Sequence, residues 1–229
     1  MADHEIVPIA AVAFDIDGTL YPNWSMYLAS APLVIRHGRL FRAFGEARIA
    51  ARTIRPIDDL AATTAALTAR RLGVSVERAE AMIRDIVYRR WEATLRGVKP
   101  YRGARDLLLQ LRERGVKIGA MSDFPVGRKL RTLGLDGLWD VAFSSEDTGY
   151  LKPNPEPFRR LAAELEQPPE RILYVGNSAR YDVLGAKGSG MRTAYITRRR
   201  FRRAAVADCV FSRYAELRTW LLPRIAAAR

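Results

Sequence analysis

The chain has 229 residues, 48% apolar and 28% charged, which fits one or two folded soluble domains and excludes a disordered segment. One cysteine, Cys209, and two histidines, His4 and His37, exclude an internal disulfide and a cysteine-based zinc site, leaving carboxylates, Lys, Arg, Ser and Thr to carry any chemistry. The net charge of +13 is set by 33 Arg against 5 Lys and is uneven: residues 21–100 carry +7, residues 192–229 carry +8, and the rest −2.

Residues 1–5 contain two acids and lack the basic start of a signal peptide. Residues 9–14 form a short apolar run ending in acids, which predicts a strand buried on both faces. The longest uncharged stretch nearby, residues 21–35, has 15 residues and contains Pro22 and Pro32, whereas a membrane span needs roughly 18–20. A cytoplasmic protein without a membrane span is expected.

Residues 21–100 show no strand pattern. Helical periodicity covers residues 58–72 and 76–94, with Ser75 placed to cap the second. Gly97, Pro100 and Gly103 punctuate the return, so an inserted helical cap is expected over 21–100, with 1–20 and 101–229 forming an α/β core. Trp24, Met26, Tyr27, Leu28, Leu33, Val34 and Ile35 are expected to pack in the cap or its hinge. Arg48, Arg52 and Arg55, spaced i, i+4, i+7, predict one basic, solvated helix face. No nucleic-acid motif accompanies the positive charge, so no nucleic-acid partner is expected.

Beyond the insert, strand and helix patterns alternate. Apolar residues at 104, 107, 108 and 111 predict a helix over 101–114. A second helix covers 156–165, behind Pro155. Strands are predicted at 116–121, 141–143, 172–175 and 193–196, with a weaker one at 209–211. The alternation predicts a parallel, doubly wound sheet. The one biased run, residues 198–203, is five arginines and a phenylalanine.

Four motifs sit where these strands end. The first strand runs into Asp15-Ile16-Asp17-Gly18-Thr19, where two close carboxylates repel unless a cation such as Mg2+ lies between them. The second strand ends in Ser122-Asp123, a hydroxyl and following backbone amides suited to a phosphate oxygen. Lys152 is held on a segment stiffened by Pro153 and Pro155. The fourth motif is Gly176-Asn177-Ser178, followed by Asp182.

In this order and spacing, over about residues 9–197, the four motifs resemble those of the haloacid dehalogenase superfamily of phosphohydrolases, of the phosphoglycolate phosphatase-like type. The resemblance implies a Rossmann-like sheet of order 5-4-1-2-3 with the site at the C-terminal ends of strands one and four. It implies that Asp15 is the nucleophile and Asp17 the general acid/base, and that Ser122, Asp123, Lys152 and Thr19 serve the phosphate site. It implies Mg2+ held by Asp15, the backbone carbonyl of Asp17, Asp182 and Asn177. The expected substrate is a small phosphorylated metabolite. Asn177 departs from the aspartate usual after this glycine and removes one negative charge from the ion's shell. Asp17 argues against 2-haloacid dehalogenation, which releases no alcohol needing a proton. A phosphomutase, or a catalytically weak scaffold on the same fold, is the alternative.

Overall fold

The computed structural model describes residues 7–198 and 207–226. His4, the acidic start at residues 1–5 and residues 199–203 of the arginine run lie outside them. Strand β1 spans Ala11–Phe14. After it come α1 (Asn23–Arg36), α2 (Gly38–Ala51), α3 (Leu60–Leu72) and α4 (Val76–Met82), which widens into a π-helical stretch over Ile83–Arg90 and ends in α5 (Trp91–Ala93). The cap expected at Ser75 is made, and Asp59 caps α3 in the same way. Asp59 accepts from the N–H of Ala62 at 2.9 Å, and Ser75 from that of Arg78 at 3.2 Å.

The remaining chain alternates: α6 (Ala104–Glu113), β2 (Lys117–Ser122), α7 (Gly127–Thr132), β3 (Val141–Ser144), α8 (Pro155–Glu164), β4 (Ile172–Gly176), α9 (Leu184–Gly188), β5 (Arg192–Ile196), β6 (Cys209–Phe211) and α10 (Tyr214–Leu221). All strands pair in parallel in the order β3-β2-β1-β4-β5-β6, the expected five-strand order with β6 added beside β5.

Period-two alternation splits β1 between two apolar layers. Val12 and Phe14 join α6 and α10 residues such as Leu107, Leu111 and Leu217 on one face. Ala11 and Ala13 join Phe158 and Leu161 of α8 on the other. A sheet covered on both faces explains why its strands read as unbroken apolar runs. The helical segment has its own smaller core of Leu40, Phe44, Ala65, Ile83, Ile86 and Val87.

Two expectations for this segment are corrected. Met26 is buried, but Trp24, Tyr27, Leu28, Val34 and Ile35 face solvent, because α1 is packed along one side only. The Arg48–Arg52–Arg55 face is solvated only at Arg55; Arg48 is buried and Arg52 largely covered. Arg48 pairs with Glu146, Arg52 with Asp123 at 2.6 Å, and Arg55 with Glu156, so the stripe ties the helices to the loops of the sheet. Its guanidinium groups also lie over rings: Arg48 over Phe124 (4.6 Å to the centroid), Arg52 over Tyr181 (4.3 Å) and Arg55 over Tyr150 (4.7 Å).

Candidate active site

Strand order reverses at β1, whose neighbours are β2 on one side and β4 on the other. Such a reversal opens a crevice at the C-terminal strand ends. Asp15 prolongs β1 by one bond, its N–H donating to the Val175 carbonyl at 2.9 Å. The chain then turns tightly, with the Leu20 N–H returning to the Ile16 carbonyl at 3.0 Å. Gly18 holds φ +84° in this turn, and a Cβ there would stand 1.9 Å from Asn177 Nδ2. Only glycine meets both constraints.

The turn sends Asp15 and Asp17 to different lysines. Asp15 Oδ2 accepts from the Thr19 hydroxyl at 2.7 Å, and Oδ1 from Lys152 Nζ at 2.7 Å. Lys152 is buried and also donates to Asp182 Oδ1 at 2.6 Å and to the Tyr174 hydroxyl at 3.3 Å. Asp17 Oδ2 accepts from Ser122 at 2.7 Å and from Lys129 Nζ at 2.5 Å, while the Tyr21 hydroxyl donates to Oδ1. Three carboxylates thus meet two ammonium groups.

Burial pushes the Asp15 carboxyl up to about 7, with the Asp182 and Asp17 charges adding and Lys152 opposing. Burial also works against ionisation of Asp17, but Lys129, Tyr21 and Ser122 outweigh it and hold that carboxyl below its usual range. Burial disfavours the Lys152 ammonium, yet Asp15 and Asp182 hold it firmly protonated.

Asp182 also orders the fourth loop: its Oδ2 accepts from the N–H groups of Asn177 at 3.1 Å and Ser178 at 2.9 Å. Gly176 lets this carboxylate close on the strand end, since a Cβ there would lie 2.3 Å from Asp182 Cβ. Asn177 is not placed as a simple oxygen ligand. Its Nδ2 donates to the Asp17 carbonyl at 3.0 Å, so two expected metal ligands satisfy each other. Asp123 is drawn toward the helical segment, where its carboxylate accepts from Arg52 at 2.6 Å, Ser145 at 2.6 Å and the Lys152 N–H at 3.1 Å. Burial opposes its ionisation, but Lys152, Arg52 and Arg48 hold it charged. An ionised carboxylate has no proton to give a phosphate, so only the backbone here offers donors.

Among the described residues, no three of His, Cys, Asp and Glu converge on one point. Magnesium does not require that, because it keeps several waters and takes one or two carboxylates. The crevice offers hard oxygen donors only: Asp15 and Asp182 carboxylates and the Asp17 carbonyl, with the Asn177 amide against that carbonyl. Its carboxylates outnumber its lysines. The donor set fits Mg2+.

Lys129, Tyr21 and Tyr174 were not singled out by sequence reasoning. One compositional signal does point to Lys129. In a chain of 33 Arg and 5 Lys, surface charge is met by arginine, and two of the five lysines, Lys129 and Lys152, are buried beside Asp17 and Asp15.

Residues 9–190 match the haloacid dehalogenase-like hydrolase family. A glyceraldehyde 3-phosphate phosphatase of Methanopyrus kandleri is 29% identical over 204 residues, 84% of this chain and 86% of its own. A phosphoglycolate phosphatase of Cereibacter sphaeroides is 37% identical over 142 residues, 59% of this chain and 62% of its own. A solved haloacid dehalogenase phosphatase from Thermococcus onnurineus superposes with TM-score 0.63 at 24% identity, covering 95% of this chain and 100% of that one. A 2-haloacid dehalogenase from Pseudomonas syringae pv. Tomato DC3000 gives 0.69 at 20% identity, covering 94% and 99%; both share the fold. The family match spans both aspartates of the β1 turn, both buried lysines and Asp182, on a sheet of matching fold, and on these grounds the chain belongs to the haloacid dehalogenase-like hydrolases.

Proposed function

We propose that this chain is a Mg2+-dependent phosphatase acting on a small phosphate monoester through an aspartyl-phosphate on Asp15. The observation that carries this reading is the separate support of the two aspartates. Asp15 is oriented by Thr19 and Lys152, and Asp17 by Lys129, Ser122 and Tyr21.

In the first step an Asp15 carboxylate oxygen forms a bond to phosphorus as the bond to the ester oxygen breaks. Asp17, held ionised in the free site, takes up a proton as the anionic phosphate binds beside it and delivers that proton to the departing oxygen. In the second step Asp17 takes a proton from water, the water oxygen bonds to phosphorus, and the acyl-phosphate bond breaks to free Asp15 and inorganic phosphate. Lys152 and the Ser122 hydroxyl neutralise and orient the transferring group. Asp15, the Asp17 carbonyl and Asp182 would hold Mg2+, with Asn177 joining once its amide turns its oxygen inward. The ion supplies positive charge that keeps Asp15 ionised and offsets the charge of the phosphoryl oxygens.

The helical segment acts as the cap. Latched by its arginines over the Asp123 and Lys152 loops, it favours a small substrate and a dry site. The Methanopyrus and Cereibacter relatives are named for small phosphorylated compounds, and we carry that class over.

A panel of phosphorylated metabolites, assayed for phosphate release with Mg2+ and with EDTA, tests the reading. Turnover of at least one monoester is expected, lost in EDTA and lost in a folded Asp15→Asn variant. Turnover that survives Asp15→Asn in a preparation free of other phosphatases refutes the mechanism. Silence across the panel favours a scaffold role.

A further inference from the structure

A cleft of about 920 Å³ lies at the hinge between the helical segment and the sheet. Its walls are the start of α1, the returning loop 97–103 and the β6–α10 turn. None of Asp15, Asp17, Ser122, Lys129, Lys152 and Asp182 lines it. Its floor is Tyr214, whose hydroxyl donates to the Thr19 carbonyl at 2.8 Å. A volume of this size falls in the range of small-molecule sites, about 300–1,000 Å³.

The chemistry of the walls is one-sided. Among the described residues, Lys99, Arg102, Arg198, Arg213 and Arg218 line the cleft, against one acid, Asp106. Arg213 is held by Glu216 at 2.8 Å. Lys99, Arg102 and Arg218 are exposed and pair with no acid among the described residues. This contrasts with Arg48, Arg52 and Arg55, each already engaged. Like charges converging on a concavity focus a positive potential, and guanidinium forks match phosphate oxygens. Trp24 also lines the cleft, 59% exposed and stacked on no other ring among the described residues. An exposed indole beside unpaired guanidinium groups is suited to a ligand that carries a planar ring and several phosphates.

We propose that this cleft binds an organic polyphosphate with an aromatic ring, of the nucleoside di- or triphosphate kind, at a site separate from the catalytic crevice. The arginines take the phosphates and Trp24 the ring. The ligand-sized concavity, partly open to solvent, favours a small molecule over an extended strand.

Titration calorimetry on the full chain tests this with β,γ-methylene-ATP, which resists loss of its terminal phosphate, and with tripolyphosphate, which has no ring. The variants are Arg102→Gln with Arg218→Gln, and Trp24→Ala; Tyr214 is left intact because it supports Thr19. Melting curves confirm that each variant is folded. The expected results are binding of both probes to the parent chain and at least about tenfold weaker binding of both to the double arginine variant. Trp24→Ala should weaken the nucleotide analogue while leaving tripolyphosphate within about twofold. The proposal is overturned by no binding to the parent chain, by unchanged affinity in the double variant, or by equal response of both probes to Trp24→Ala. A single-stranded oligonucleotide that displaces the analogue and binds more tightly also overturns it.

Discussion

Replacing Arg48 with Met probes how firmly the helical segment is latched to the sheet. Arg48 projects from α2 and is 4% exposed. Its guanidinium binds the Glu146 carboxylate and the Asp123 carbonyl, and lies 4.6 Å from the Phe124 ring centroid and 5.3 Å from that of Phe44. Methionine keeps most of the stem's volume but not the guanidinium, so the ion pair, the hydrogen bond and the contacts over both rings are lost together. Removing one partner of a buried ion pair costs about 3–5 kcal/mol. Glu146 retains the Tyr88 hydroxyl at 2.7 Å and its side chain is 20% exposed, which places the cost at the lower end, about 3 kcal/mol. If segment and sheet melt together, Tm falls by about 6–12 °C for a chain of this length. If the segment detaches first, the same energy raises its opening equilibrium roughly 150-fold. Hydrogen exchange followed by mass spectrometry on residues 44–52 and 144–152 separates the two cases. A double-mutant cycle with Glu146→Leu should return a coupling of about 2 kcal/mol. A stability change below about 0.5 kcal/mol, with exchange unaltered in both segments, refutes the latch, since surface substitutions alone cause changes of that size.

Three further outcomes follow from the same geometry. Lys129→Met strips the buried ammonium from Asp17 and should cost about 3 kcal/mol in urea unfolding, because Tyr21 and Ser122 remain as partial support; a cost under about 0.5 kcal/mol would show that the pair is idle. Asn177→Asp places a carboxylate where Nδ2 now donates to the Asp17 carbonyl at 3.0 Å, so Tm in EDTA should drop below that of the parent and Mg2+ should raise it by more than it raises the parent's; a Tm indifferent to Mg2+ contradicts the assignment of these oxygens to the ion. Burial pushes the Cys209 thiol up to about 11, so disulfide-exchange labelling of the folded chain at pH 8 should run at least about tenfold slower than in urea, the lost thiolate outweighing its greater nucleophilicity, whereas equal rates would place the thiol in water.

The strand-end motifs were legible because a parallel sheet converts sequence order into position. Apolar runs bounded by Asp15, Ser122 and Gly176 place their ends in one layer, whatever fills the connections. Ser75 was an equally local signal, since a cap needs only its own helix to be satisfied. Lys129 was not legible. In Gly-Arg-Lys-Leu-Arg it has the pattern of any cationic helix, and it becomes part of the site only because α7 packs its face toward the β1 turn.

The sequence by itself determined the class of fold, the order of the motifs and the sign of the charge in each part of the chain, because periodicity, residue type and spacing are properties of neighbours along the backbone. Which charges are spent and which are free was decided only in three dimensions. Arg48 finds Glu146 at a separation of 98 residues, and Lys152 finds Asp15 at 137, so each arginine's and lysine's role depends on what the far side of the fold brings to it. The same tertiary closure that occupies the Arg48, Arg52 and Arg55 face leaves Lys99, Arg102 and Arg218 around a cleft with a single acid among the described residues, a contrast that net charge along the chain has no means to express.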